Sequence, residues 1–153
     1  MLKVGLSTLL FAAAALGLAA FYLEWTGDGR GIDYIRPASR FQSGFQLPLP
    51  LTIMAVVAAV GLGGIFIGGV ASLVDPKSTR SPIRWLGGIG GFAVVTFTLA
   101  AHGGYLFWIF WNDGGVGVFR SEDWGPGIWV AMVSGSLALV ATVLHTRLLK
   151  GGS

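Results

Sequence analysis

The chain has 153 residues, 54% hydrophobic and 11% charged, with a formal net charge of +3 and a mean hydropathy of +0.74. A soluble domain carries about 25% charged residues, so this composition cannot cover a water-facing surface, and the scattered lysines and arginines make no nucleic-acid face. The absence of cysteine excludes disulfides, thiolate catalysis, and cysteine-based zinc and iron–sulfur sites.

A helix needs roughly 20 apolar residues to cross about 30 Å of hydrocarbon. Residues 4–23 form the first such run. Lys3 before it and Leu18-Ala19-Ala20 near its end give it a faint signal-peptide character. The run is longer than a usual signal core, so an anchoring span is expected. The segment that follows, 24–47, is the largest polar piece. Its mixed charges, glycines and interspersed aromatics predict an ordered cap. Asp28 and Asp33 lack the ligand spacing of a calcium loop, and Gly27 to Gly31 lack the Lys-Ser/Thr ending of a phosphate loop.

The second span is expected over 49–74, introduced by Pro48 and Pro50 and closed by Asp75-Pro76. Ser81-Pro82 opens the third, 85–111, and Asn112-Asp113-Gly114-Gly115 supplies turn residues at its end. The fourth, 125–146, has Asp123 as a candidate N-cap and Pro126 in its first turn. None of the four runs contains Asp, Glu, Lys or Arg. They are continuously apolar rather than alternating, which argues against a transmembrane β-barrel. The expected fold is all-α: a four-transmembrane-helix bundle with an ordered first extracytoplasmic loop, in a single domain over 1–153.

Four spans put both termini on one side. That side would hold six basic residues, Lys3, Lys77, Arg80, Arg84, Arg147 and Lys150, against four on the other, Arg30, Arg36, Arg40 and Arg120. Short basic loops face the cytoplasm, so a multi-pass plasma or inner membrane protein with cytoplasmic termini is expected. Trp25, Trp85, Trp108, Trp111, Trp124 and Trp129 fall near the span ends, where an aromatic belt sits at the headgroups.

Lipid provides no hydrophobic drive between helices, so small residues mark close crossings. Ala55, Ala59 and Gly63, with Gly64 and Gly68 beside them, make such a stripe in the second span. Gly87 and Gly91 mark the third, and Gly127, Ala131 and Gly135 the fourth. All are expected at helix contacts.

His102 is the notable group at membrane depth, with Thr98 one turn before it and Tyr105 three residues after. A histidine in lipid faces the protein interior. It serves as a hydrogen-bonded interior residue, as a ligand to haem or chlorophyll, or as a member of a proton relay, although no cofactor is otherwise indicated. His145 is roughly 20 Å away in depth at 1.5 Å per residue, which rules out a paired-histidine haem site and leaves His145 a surface role.

No acid lies within a span, which weighs against proton-coupled transport. These features point to a non-catalytic membrane subunit or an assembly and stabilising factor of a larger complex. Its partners would be the lipid bilayer and either other membrane subunits or further copies of itself. A small oligomeric channel or carrier is the alternative. A lipid-modifying enzyme using Asp113, Glu122 or Asp123 stands third.

Overall fold

The structure, a computed structural model, describes residues 2–26, 29–35, 49–74, 85–112 and 124–150. In chain order it contains α1 (Leu2–Tyr22), β1 (Glu24–Thr26), β2 (Gly29–Arg30), α2 (Gly31–Ile35), α3 (Leu49–Val74), α4 (Trp85–Asn112) and α5 (Pro126–Lys150). The described residues are 92% helical. In hydrocarbon each backbone N–H and C=O must find a partner within the protein, and a continuous helix pairs them internally. Asn112, expected in a turn, is the last residue of α4. Pro48, Asp75-Pro76, Ser81-Pro82 and Asp123 lie outside the described residues.

The long helices pack in the cyclic order α1–α3–α4–α5 and back to α1. Every neighbouring pair is antiparallel. Gly17 lies beside Leu62 and Gly69 beside Phe11; Gly104 lies beside Leu51 and Gly64 beside Leu86; Gly87 lies beside Thr142 and Gly127 beside Ala20. The start of α1 and the end of α5 therefore share one end of the structure, here the terminal end. The opposite, capped end carries β1, β2 and α2. Interior side chains form two clusters. One, at the capped end, joins Phe21, Trp25, Tyr34, Leu51, Ala55, Ala58, Ala101, Tyr105, Leu106 and Ile128. The other runs towards the terminal end from Ala20 and Ala131 through Ala13, Ile65, Val94 and Ala138 to Leu6 and Leu10.

Backbones touch where glycines remove side chains. A Cβ added at Gly61 would lie 2.8 Å from the Gly90 carbonyl oxygen, and one at Gly64 would lie 3.0 Å from that of Leu86. Gly87 faces Leu10 and Thr142, and Gly91 faces Gly135. Ala55, Gly68 and Ala131 are buried, and Ala59 packs half-buried against the capped-end cluster. Gly63 is the exception and corrects the expectation made for it. It is exposed, and an added Cβ would meet nothing within 4 Å. The stripe Ala55–Ala59–Gly63 drifts off the crossing, because four-residue steps outrun the 3.6-residue turn. Gly61 and Gly64 carry the contact instead.

Four helices are long and apolar enough to cross a bilayer. Their outer faces carry Val60 at 69% exposure, Ile89 at 60% and Val133 at 58%. So continuous an apolar exterior belongs in lipid rather than water. The chain is a multi-pass membrane protein.

Candidate functional site

Thr98, His102 and Tyr105 occupy steps of four and three residues on α4, which places them on one stripe of the helix. All three are fully buried. The Trp124 ring meets the His102 ring edge-on, with centroids 4.7 Å apart. Thr98 Oγ1 is buried with no hydrogen-bond partner among the described residues. Also among the described residues, no three His, Cys, Asp or Glu side chains gather into a metal site.

The stripe ends beneath the cap. The Tyr34 ring, from α2, lies 5.6 Å from that of Tyr105 at a steep angle. On its other side Tyr34 meets Trp25 at 5.0 Å, and Trp25 meets Phe21 at 5.2 Å. Trp25 corrects the expectation that it belongs to the rim: it is fully buried. Its indole N–H donates to the Ala20 carbonyl at 2.9 Å, which satisfies the polar edge that would otherwise seek the interface. Glycines make room for the ring. A Cβ at Gly31 or Gly127 would collide with the indole, and one at Gly125 would collide with the Glu24 carbonyl. The Gly125 N–H donates to the Trp25 carbonyl at 2.9 Å, and the Gly31 N–H to the Leu23 carbonyl at 3.2 Å. Asp33 caps α2 by accepting the Arg30 N–H at 2.9 Å. This is the return half of a capping box and gives the Asp33 carboxylate a structural role.

The other aromatics divide. Trp85, Trp111 and Trp129 are exposed near helix ends, as a belt requires, with Trp111 the most open at 77%. Trp124 is half-buried against His102 and Trp129. The Trp108 side chain and the acids Asp113, Glu122 and Asp123 lie outside the described residues. His145 is half-buried in the terminal turns of α5, far along the structure from His102.

Two features escaped sequence reasoning. The Ser134 hydroxyl on α5 donates to the Ala13 carbonyl on α1 at 2.6 Å, fully buried. A serine mid-way along an apolar run was the available signal. The second is a groove of about 470 Å³ on the outer side of α1 and α3, lined by Phe11, Ala14, Ala15, Leu18, Leu62, Gly63 and Phe66. Phe11 and Phe66 close part of it edge-to-face at 5.4 Å.

Fold and site together define a class: a multi-pass helical membrane protein whose interior holds a histidine-bearing polar stripe. Comparison with protein-family models, with curated proteins and with solved structures finds no match.

Proposed function

We propose that the chain is a non-catalytic integral membrane subunit, or an assembly and stabilising factor, of a larger membrane protein complex. It would act as a four-helix transmembrane bundle with an ordered cap and both termini in the cytoplasm. The observation that carries this reading is the groove between α1 and α3. Its lining includes Ala14, Ala15 and Gly63, small residues that let another helix backbone come close. Gly63 has open space where a side chain would stand and makes no close crossing among the described residues. The occupant we propose is a transmembrane helix of another subunit.

The test is purification from the native membrane in mild detergent. Gly63→Leu fills the groove and should release co-purifying chains while leaving the thermal stability of the isolated protein unchanged. A protein that purifies without other chains, or that keeps them after Gly63→Leu, counts against this reading. Purification with further copies of itself would recast the partner as self. The orientation is checked by reporter fusions: those at residue 78 and at the C-terminus should report cytoplasm, and one within 28–45 the opposite side.

A second reading, a small oligomeric channel or carrier, is favoured by the buried stripe of Thr98, His102 and Tyr105. Solute flux in reconstituted vesicles that His102→Ala abolishes would establish it over the first.

A further inference from the structure

We infer that Ser134 positions the groove between α1 and α3: from the α5 side, its hydroxyl fixes the height and rotation of α1 and so presets the shape into which a partner helix fits. The use of the groove rests on the subunit reading; the positioning of α1 does not.

The first observation is a row of contacts that runs through α1. The Ser134 hydroxyl donates to the Ala13 carbonyl at 2.6 Å. The next residues of α1, Ala14 and Ala15, line the groove. One turn on, a Cβ at Gly17 would stand 2.7 Å from Ser134 Oγ and would collide with the Leu62 side chain of α3. Leu62 lines the groove as well. The bare backbone of Gly17 thus lets a hydroxyl of α5 and a groove residue of α3 approach α1 at one level.

The second observation is that this hydroxyl is used between helices. Ser72, Thr142 and Thr146 each donate to the carbonyl four residues earlier in their own helix, the usual recourse of a hydroxyl in an apolar helix. Ser134 bonds to α1 instead. A hydrogen bond is directional and weakens steeply away from linearity, so it specifies where along and around α1 the contact falls. Apolar packing specifies this less well, because lipid and interior accept the same side chains.

The third observation is how the two walls of the groove are held. α3, α4 and α5 meet backbone to backbone. A Cβ at Gly61 would stand 2.8 Å from the Gly90 carbonyl oxygen, and one at Gly135 would stand 2.6 Å from that of Gly91. Gly135 follows Ser134 in the chain. α1 meets α3 through side chains, with Phe11 and Leu10 over Gly69 and Leu62 over Gly17. One wall, α3, is therefore fixed to α5 through α4, and the other, α1, is fixed to α5 by Ser134. A groove preset in this way removes an ordering cost that binding would otherwise carry.

The chain contains no cysteine, so a spin-label pair at Ala12→Cys on α1 and Val70→Cys on α3, both exposed and outside the groove lining, reads the separation of the two walls. In the isolated protein in lipid nanodiscs, Ser134→Ala should shift or broaden that distance by about 1–2 Å, the size of helix movements at packed interfaces. Gly17→Ala, which presses on both Ser134 and Leu62, should do the same, and it decides alone if Ser134→Ala does not fold. Ile128→Val trims a buried side chain of the same helix as Ser134 and should leave the distance unchanged. An unchanged distance in the folded groove variants overturns the inference. So does an equal change in Ile128→Val, which would mean a general loosening. In purification from the native membrane, Ser134→Ala should retain about threefold to tenfold fewer co-purifying chains than Ile128→Val, as the loss of one hydrogen bond between membrane helices implies. Equal retention overturns the link between Ser134 and the partner. Chains that stay bound to Gly63→Leu count against the subunit reading instead, and the spin-label distance, measured without a partner, then decides the positioning by itself.

Discussion

Gly91 and Gly135 lie against each other's backbone. A Cβ on Gly91 would stand 2.5 Å from the Gly135 carbonyl oxygen, and one on Gly135 would stand 2.6 Å from that of Gly91. No rotamer relieves a backbone clash, so α4 and α5 must separate to admit even a methyl group. Gly91→Ala and Gly135→Ala should each destabilise the protein by about 1–3 kcal/mol, the usual range for overpacking. Gly63→Ala should change nothing in the isolated chain, because its Cβ meets open space. Thermal unfolding in detergent reads all three. Equal stability across the set would place the α4–α5 crossing elsewhere.

Removing the Ser134 hydroxyl leaves the Ala13 carbonyl of α1 without its cross-helix donor. Hydrogen bonds between membrane helices contribute about 0.6 kcal/mol on average and about 1.7 at most. Ser134→Ala should fall in that range, measured by reversible unfolding in mixed micelles. Ser134→Val should cost more, because the site also abuts Gly17. A more stable Ser134→Val would show that the two helices separate there without penalty.

Trp25→Ala empties the space between Phe21 and Tyr34 and removes one of the donors to the Ala20 carbonyl. Cavity formation of this size costs about 3–5 kcal/mol. Trp25→Phe keeps most of the ring but loses the N–H, and should cost about 0.5–1.5 kcal/mol, the net contribution of one hydrogen bond, because the Ala20 carbonyl still accepts the Leu23 N–H at 3.3 Å. Because the other tryptophans remain, the fluorescence difference between the wild type and Trp25→Phe isolates one indole. That difference should be blue and poorly quenched by iodide. A quenchable difference would place Trp25 at the rim after all.

His102→Ala should destabilise the protein by about 1–3 kcal/mol, the common range for truncating a packed side chain, because Trp124 loses the ring it rests on. The spectrum of the same preparation tests the pigment role considered for this residue. A visible band that disappears in the variant would make His102 a pigment ligand, and the lack of any visible band would leave it an interior residue without one.

The spans were legible because hydrophobic length is a property of the run itself. The expectation 49–74 coincides with α3, and 85–111 stops one residue short of α4. Which face of each run turns inward was far less legible. In water a helix advertises its buried side by contrast with charged residues, whereas here lipid and interior both accept Leu, Val and Phe. Gly63 and Gly64 were therefore indistinguishable as residues, although one is open and the other meets Leu86. Trp25 misled for a related reason. Its position just beyond a span suits a headgroup anchor, and only the return of the chain through β2, with Gly31, Gly125 and Gly127 making room, turns the ring inward. Tyr34 was legible only as one of the aromatics of an ordered cap, because nothing in the run Ile32-Asp33-Tyr34-Ile35 says which long helix its ring meets. The histidine stripe could be read, since a polar residue in an apolar run has few places to point.

The hydroxyl of Ser134 and the carbonyl of Ala13 are separated by 121 positions in the chain. During synthesis the earlier helices enter the bilayer without the neighbour that closes their ring. Until α5 arrives, the side of α1 that will receive it must face lipid, a translocon subunit or a membrane chaperone, with a backbone carbonyl beside the close-approach residue Gly17. Each of the three remaining contacts joins helices consecutive in sequence and can form as a hairpin once both have emerged. Biogenesis of this protein thus has one long-range step, and quality control that inspects α1 would in effect be checking whether the fourth span has inserted.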